Sequence, residues 1–170
     1  SKIFDNIWVQ PASGDAGGSL GAALALWYDE QNNSRLINLK DDMQGSYLGP
    51  EYTQSEIEKE LKTIGAKFEI LTEDNLINKT AEDLSKGNAI GWFQGRMEFG
   101  PRALGGRSIL GDARSSDMQK ILNLKVKYRE SFRPFAPSIL NEDLKEWFDM
   151  SCDSPYMLMV SRINEKKIFE

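Results

Sequence analysis

Helical and strand-like segments alternate along these 170 residues, which predicts an α/β fold. Two kinds of observation carry that expectation. Apolar residues recur at helical spacing in several stretches, and short apolar runs bounded by glycine or proline separate them. A third feature interrupts the alternation: "GRMEFGPRALGGRSIL", residues 95–110, places three arginines and four glycines in sixteen positions.

Residues 7–10 read as a short strand that stops at Pro11. In "SGDAGGSLGAALALWYDEQNN", Ala16, Leu20, Ala23, Leu24 and Trp27 share one helical face behind a glycine-rich turn. The polar, turn-rich stretch 32–49 reads as a linker or domain boundary. In "YTQSEIEKELKTIGAKFEIL", Thr53 and Glu56 fit a capping box, Ile57, Leu61 and Ile64 form the apolar stripe, and Gly65 closes the helix. The acidic positions from Glu56 to Glu60 read as a solvated helix face. Residues 68–71 then predict a strand, 73–86 a helix ending at Gly87, and 89–93 a buried strand. Residues 94–107 read as an irregular loop. A helix is expected over 115–124 with Met118, Ile121 and Leu122 inward. "RPFAPSIL" leads into a further strand, Asn141 caps a short helix to Phe148, and 156–163 is the last strand.

Composition narrows the function. Hydrophobic residues at 40% and charged residues at 28% are ordinary for a globular chain, and the net charge of −5 argues against a general nucleic-acid or anionic-membrane binder. The charge is unevenly spread. Residues 91–140 hold nine Lys/Arg against four Asp/Glu, so this stretch is +5 and the remainder −10. A basic island on an acidic chain points to a small anionic ligand. There is no histidine, so acid–base chemistry falls to carboxylates, lysines or the substrate. The single Cys152 cannot form an internal disulfide and suits a reducing, cytoplasmic setting. The longest apolar run, "LGAALALWY", is too short to span a bilayer.

Glycines 95, 100, 105 and 106 let the backbone approach a ligand and aim successive N–H groups at one point. Arginine adds planar paired donors that match phosphate or carboxylate oxygens. Downstream, "KVKYRESFRPFAPS" brings Lys125, Lys127, Arg129 and Arg133, with Ser108 and Ser138 as hydroxyl donors and Pro101, Pro134 and Pro137 as stiffeners. Two cationic clusters separated by one short helix predict a site for a polyphosphate. Glu98, inside the first cluster, reads as a carboxylate that orients a neighbouring arginine rather than as a general base. Trp92, Phe93, Phe132 and Phe135 read as core.

"GWFQGRMEFGPRALGGRSILGDAR" followed by "NLKVKYRESFRPFAPSIL" resembles the C-terminal domain of the nodulation-protein and antibiotic-tailoring O-carbamoyltransferases. "YLGPEYTQSEIEKEL" is similar to the opening of that domain, and "IWVQPASGDAGGSLGAALALWY" to the end of the family's N-terminal domain. The resemblance implies an actin/Hsp70-like ATPase-fold tail over 1–45 and a YrdC-like α/β domain over 46–170. It implies an enzyme that makes carbamoyl-adenylate from carbamoyl phosphate and ATP, with Mg2+ alongside the nucleotide. The carbamoyl group then passes to a hydroxyl of a sugar-containing or antibiotic-like acceptor. By the same resemblance Arg96, Arg102 and Arg107 are the catalytic positions, and Ser108, Lys125, Arg129, Arg133 and Ser138 bind substrate or nucleotide. Asp15 matches a ligand for Fe2+ or another divalent metal in the N-terminal domain, and reads equally as the N-cap of the helix after it. The family more often carries Asn at the position of Gly106 and often Ala at that of Gly111. The sequence is compatible with a homodimer and does not fix the oligomeric state. The rival readings are a non-catalytic nucleotide- or RNA-binding module and a structural scaffold whose arginines pair with acidic side chains.

Overall fold

A computed structural model describes residues 3–5, 7–38 and 40–168; Leu39, inside the expected linker, lies outside the described residues. Among the described residues the chain is a small mixed α/β unit of short helices and one antiparallel strand pair.

Helix α1 (Asp15–Ala25) takes Gly17 and Gly18 of the expected glycine-rich turn into its own first turns and passes into a π-helical turn, Leu26–Glu30. Gly14 holds the N-cap position without a side-chain bond, and Asp15 is the first helical residue. The expected Asp15 cap is therefore corrected: its carboxylate sits one position too late to bond N–H groups ahead of it, and acts instead on the positive end of the helix dipole.

Helix α2 (Gln54–Thr63) opens with the expected capping box. Thr53 Oγ1 accepts the Glu56 N–H at 3.3 Å, while the Glu56 carboxylate accepts the Thr53 N–H at 2.7 Å. Gly65, at φ 67°, turns the chain out of it. Helix α3 (Glu73–Ser85) is capped by Thr72 and left through Gly87 at φ 82°. It packs on β1 (Ile90–Phe93), which pairs antiparallel with β2 (Arg107–Leu110) in a register setting Ile90 opposite Leu110 and Phe93 opposite Arg107.

Strand β2 was not expected, because "RSIL" is only four residues long and half-buried throughout, without alternation. Conversely, residues 7–10, 68–71, the stretch after "RPFAPS" and 156–163 form no strands among the described residues, apart from one bridge between Ile163 and Phe148. A strand needs an edge to pair with, and these apolar runs meet none. Ile70 stays 61% and Val160 100% exposed.

The expected helix over 115–124 splits into α4 (Met118–Ile121) and a π-helical turn, Leu122–Val126. Asn141 is not a cap: Leu140 holds that position, and Asn141 begins a 3-10 turn that leads into α5 (Leu144–Trp147). Among the described residues Met118 and Leu122, each 4% exposed, form the buried apolar core, packed against Gly111 at the end of β2. Accessible area totals 14235 Å2 for 19.2 kDa. A self-contained protein of this mass exposes about 8,400 Å2. The chain's own elements leave much of their apolar surface uncovered.

Candidate anion-binding loop

Residues 94–106 connect β1 to β2, so the arginine-rich stretch is the loop of a β-hairpin. The ladder continues into its base, where the Gln94 N–H donates to the Gly106 carbonyl at 2.9 Å. Gly100 and Gly105 take φ values of 119° and 110°, open to glycine and costly for any other residue.

At the centre of the loop lies a carboxylate. Glu98 is 7% exposed, and its Oε1 accepts the N–H groups of Leu104 at 2.7 Å, Gly106 at 2.7 Å and Arg107 at 3.3 Å. Burial pushes its pKa up, but the N–H groups of Leu104, Glu98 itself, Gly106 and Arg107 together outweigh this and hold it below the ordinary glutamate value. Glu98 was expected to orient an arginine side chain. It orients the main chain instead, because the amides of Leu104, Gly106 and Arg107 lie within reach of its oxygen and no guanidinium among the described residues does.

A strap, residues 46–50, clamps the loop from outside. The Phe99 N–H donates to the carbonyl of buried Ser46 at 2.6 Å, Gly49 N–H to Met97 carbonyl at 2.9 Å, and Met97 N–H to Pro50 carbonyl at 3.0 Å. The Tyr47 hydroxyl donates to the Leu104 carbonyl. The strap is itself tied to the far end of the chain: the Tyr156 hydroxyl donates to Asp41 and accepts the Gly45 N–H at 3.1 Å.

The three arginines of the loop are placed differently. Arg107 donates through Nη1 to the carbonyls of Gln94 (3.1 Å), Gly95 (3.1 Å) and Gly106 (2.7 Å), and through Nη2 to Gly95 again at 3.1 Å. Its guanidinium lies 3.3 Å from the Phe93 ring centroid. Arg96 donates to the Gly49 carbonyl at 3.0 Å and approaches Glu51 at 3.6 Å. Both side chains brace the loop. Arg102 is exposed and pairs with no side chain or carbonyl among the described residues. Ser108, opposite Trp92, accepts the Gly105 N–H on its Oγ at 3.0 Å.

The second cluster is built around Asn123, which is fully buried. Its Nδ2 donates to the carbonyls of Ser131 (3.2 Å) and Arg133 (2.8 Å), and its Oδ1 accepts from Arg129 Nε at 2.6 Å. The Arg129 guanidinium also stands 4.9 Å from the Phe135 ring centroid. Arg133 pairs with Glu130 at 2.8 Å, and Gln119 donates to the Phe132 and Arg133 carbonyls. Lys125 and Ser138 are exposed. Gly111, against Met118 and Leu122, joins β2 to the helical turn that carries Asn123. No hydrogen bond or ion pair among the described residues links the site residues of one cluster to those of the other.

Several aromatic expectations are corrected. Phe93 is 54% exposed because it serves as the stacking face for Arg107, and Phe132 is 76% exposed. Trp92 is half-buried, with its Nε1–H donating to Gln94 at 3.0 Å. Tyr47, Gln119 and Asn123 were missed as site-building residues. None carried a sequence signal: in a regular helix Asn123 would face about 140° away from Met118, and only the π-helical turn of Leu122–Val126 and its packing bury it.

Among the described residues no group of three or more Cys, Asp or Glu could hold a metal ion, and Asp15 stands exposed in the first turn of α1. No helix among them is long and apolar enough to cross a membrane. An open cleft of about 420 Å3 between Trp8, Pro11, Asp41, Asp42 and Tyr156 contains none of the predicted site residues.

Residues 81–169 match the family model described as carbamoyltransferase C-terminus. An uncharacterized protein of Synechocystis is 54% identical over 165 residues, covering 96% of this chain and 27% of that protein. Nodulation protein NolO of Bradyrhizobium diazoefficiens is 42% identical over 170 residues, covering 98% and 30%. The 3'-hydroxymethylcephem-O-carbamoyltransferase of Streptomyces clavuligerus is 33% identical over 166 residues, covering 96% and 29%. The chain thus spans less than a third of the length of these relatives.

Proposed function

This chain belongs to the carbamoyltransferase C-terminus family, and from that premise we propose that it is part of an O-carbamoyltransferase in which residues 46–170 form a YrdC-like adenylation domain and 1–45 the tail of an ATPase-like partner domain. In this reading water releases phosphate from carbamoyl phosphate, and an oxygen of the resulting carbamate attacks the α-phosphorus of ATP at the arginine loop, giving carbamoyl-adenylate with pyrophosphate leaving. A hydroxyl of a sugar-containing or antibiotic-like acceptor then takes the carbamoyl group, and AMP leaves. The cephem-carbamoylating relative supports the class of reaction. The uncovered apolar surface supports a domain that is completed by further polypeptide.

The observation that carries the reading is the division of labour among the arginines. A loop held rigid by Glu98, Arg96 and Arg107 presents one uncommitted guanidinium, Arg102. A positioned cation facing phosphate oxygens stabilises charge that develops in the transition state without reorganising. Arg102 is therefore the ligand-contacting arginine, with Lys125 and Lys127 as the uncommitted cations of the second cluster. In this reading Arg96, Arg107, Arg129 and Arg133 keep the two loops in shape, Arg107 and Arg129 through carbonyls and Asn123 and Arg96 and Arg133 in part through Glu51 and Glu130.

Magnesium would arrive with ATP. The described residues hold guanidinium and ammonium donors rather than a carboxylate cage, so phosphate oxygens and water would supply most of its ligands. Asp15 is a single carboxylate, and the remaining ligands of any iron-type site would come from other polypeptide.

The test is calorimetric titration of the whole protein with ATP–magnesium, with and without carbamoyl phosphate, beside Arg102→Ala. Losing a charge-assisted hydrogen bond to phosphate costs about 1.5–3 kcal/mol, or roughly 10- to 150-fold in affinity. Unchanged affinity in a folded Arg102→Ala protein would remove Arg102 from the site. RNA binding tighter than ATP binding would favour the nucleic-acid reading.

A further inference from the structure

We propose that Glu98 is a built-in anionic ligand of its own loop, a positioning residue that fills the main-chain anion nest of 104–107 and so leaves the incoming phosphate to the arginine side chains. The inference rests on the adenylation reading above, but its core concerns the loop alone. Three backbone N–H groups converging within 2.7–3.3 Å of one oxygen are the arrangement by which glycine-rich loops hold phosphate. Here the position is taken by a carboxylate from within the loop.

The fit is tight. A Cβ on Gly106 would stand 3.2 Å from the Glu98 carboxylate and 2.6 Å from the Arg96 carbonyl oxygen, so the nest closes on the carboxylate with no room to spare. The same three amides belong to the segment that carries Arg107, whose guanidinium ties the base of the loop to Gly95. Emptying the nest would free the 104–107 main chain, and with it the frame on which Arg102 is presented. Glu98 contacts no ligand in this scheme; it acts through Arg102 and Arg107.

Replacing Glu98 by alanine removes a CH2–COO− fragment, which acetate matches atom for atom. In the whole protein, Glu98→Ala should speed amide hydrogen exchange in 103–108 and weaken ATP–magnesium binding about tenfold or more. Acetate should slow that exchange saturably and restore most of the affinity. Acetamide or chloride at equal concentration should do neither, and wild-type exchange should ignore acetate because its nest is full. Acetate that neither slows exchange nor restores binding in folded Glu98→Ala overturns the proposal. If ATP binds neither protein but acetate still slows exchange in the variant, the adenylation reading fails while the built-in ligand stands. Should Glu98→Ala not fold, Glu98→Gln keeps the shape without the charge: faster exchange in 103–108 and weaker ATP binding support the proposal, and wild-type behaviour in both overturns it.

Discussion

Asn123 is the residue on which the second basic loop depends, and removing its amide should release that loop. Its side chain makes two neutral hydrogen bonds, to the Ser131 and Arg133 carbonyls, and accepts a charge-assisted one from Arg129. Neutral bonds contribute about 1 kcal/mol each and charged ones about 2, which sets an upper figure near 4 kcal/mol for Asn123→Ala. Ser131 and Arg133 are exposed, so water can take up their carbonyls, and the lower figure is about 2 kcal/mol. Read as amide exchange over 123–133 in the whole protein, that range means roughly 30- to 1,000-fold faster opening. Asn123→Asp sharpens the test. It keeps the acceptor for Arg129 but sets a carboxylate oxygen where an N–H now meets the Arg133 carbonyl at 2.8 Å. Two donors become acceptors facing acceptors, so Asn123→Asp should loosen the loop at least as much as Asn123→Ala. If Asn123→Asp leaves exchange unchanged, the two carbonyl bonds contribute nothing and the Arg129 contact alone sets the loop.

Two glycines distinguish rigid from yielding surroundings. A Cβ at Gly106 meets the Arg96 carbonyl at 2.6 Å, whereas one at Gly111 meets the Met118 and Leu122 side chains at 2.8–3.1 Å. Gly106→Ala should therefore displace the loop and weaken ATP binding, and Gly111→Ala should cost about 1 kcal/mol or less as methionine repacks; equal effects of the two would contradict this. Tyr156 is pushed up to about 12, by burial and then by its bond to Asp41. Its neutral form is the bonded one, so its contribution is fully present below pH ~10 and is lost as pH rises through about 12. Phenolate absorbance against pH, compared with Tyr156→Phe, should show one tyrosine titrating late and a strap that loosens with it. Glu98 runs the other way. Its lowered pKa means loop stability that is present above the ordinary glutamate range and lost as pH falls through its folded value, visible as faster exchange in 103–108 under acid.

Local signals reached as far as local chemistry goes. The Thr53–Glu56 capping box, the glycines that end α2 and α3 and the inward Met118–Leu122 face all follow from interactions within a few residues, and each forms as its pattern predicts. The anion-loop composition was equally legible, because glycine and arginine cluster for reasons that do not depend on distant partners. Strands are different. Whether 7–10, 68–71 or 156–163 becomes a strand depends on an edge supplied from elsewhere, and none is supplied among the described residues, while the unpromising "RSIL" pairs because the hairpin brings it to β1. The assignment of partners within the site was likewise a tertiary decision. The sequence alone determined that charge, glycine and one carboxylate would share a loop. Only the fold decided that Glu98 takes the backbone amides and Arg107 the carbonyls, leaving Arg102 exposed, because a hydrogen bond goes to whichever group the packed chain brings within 3 Å.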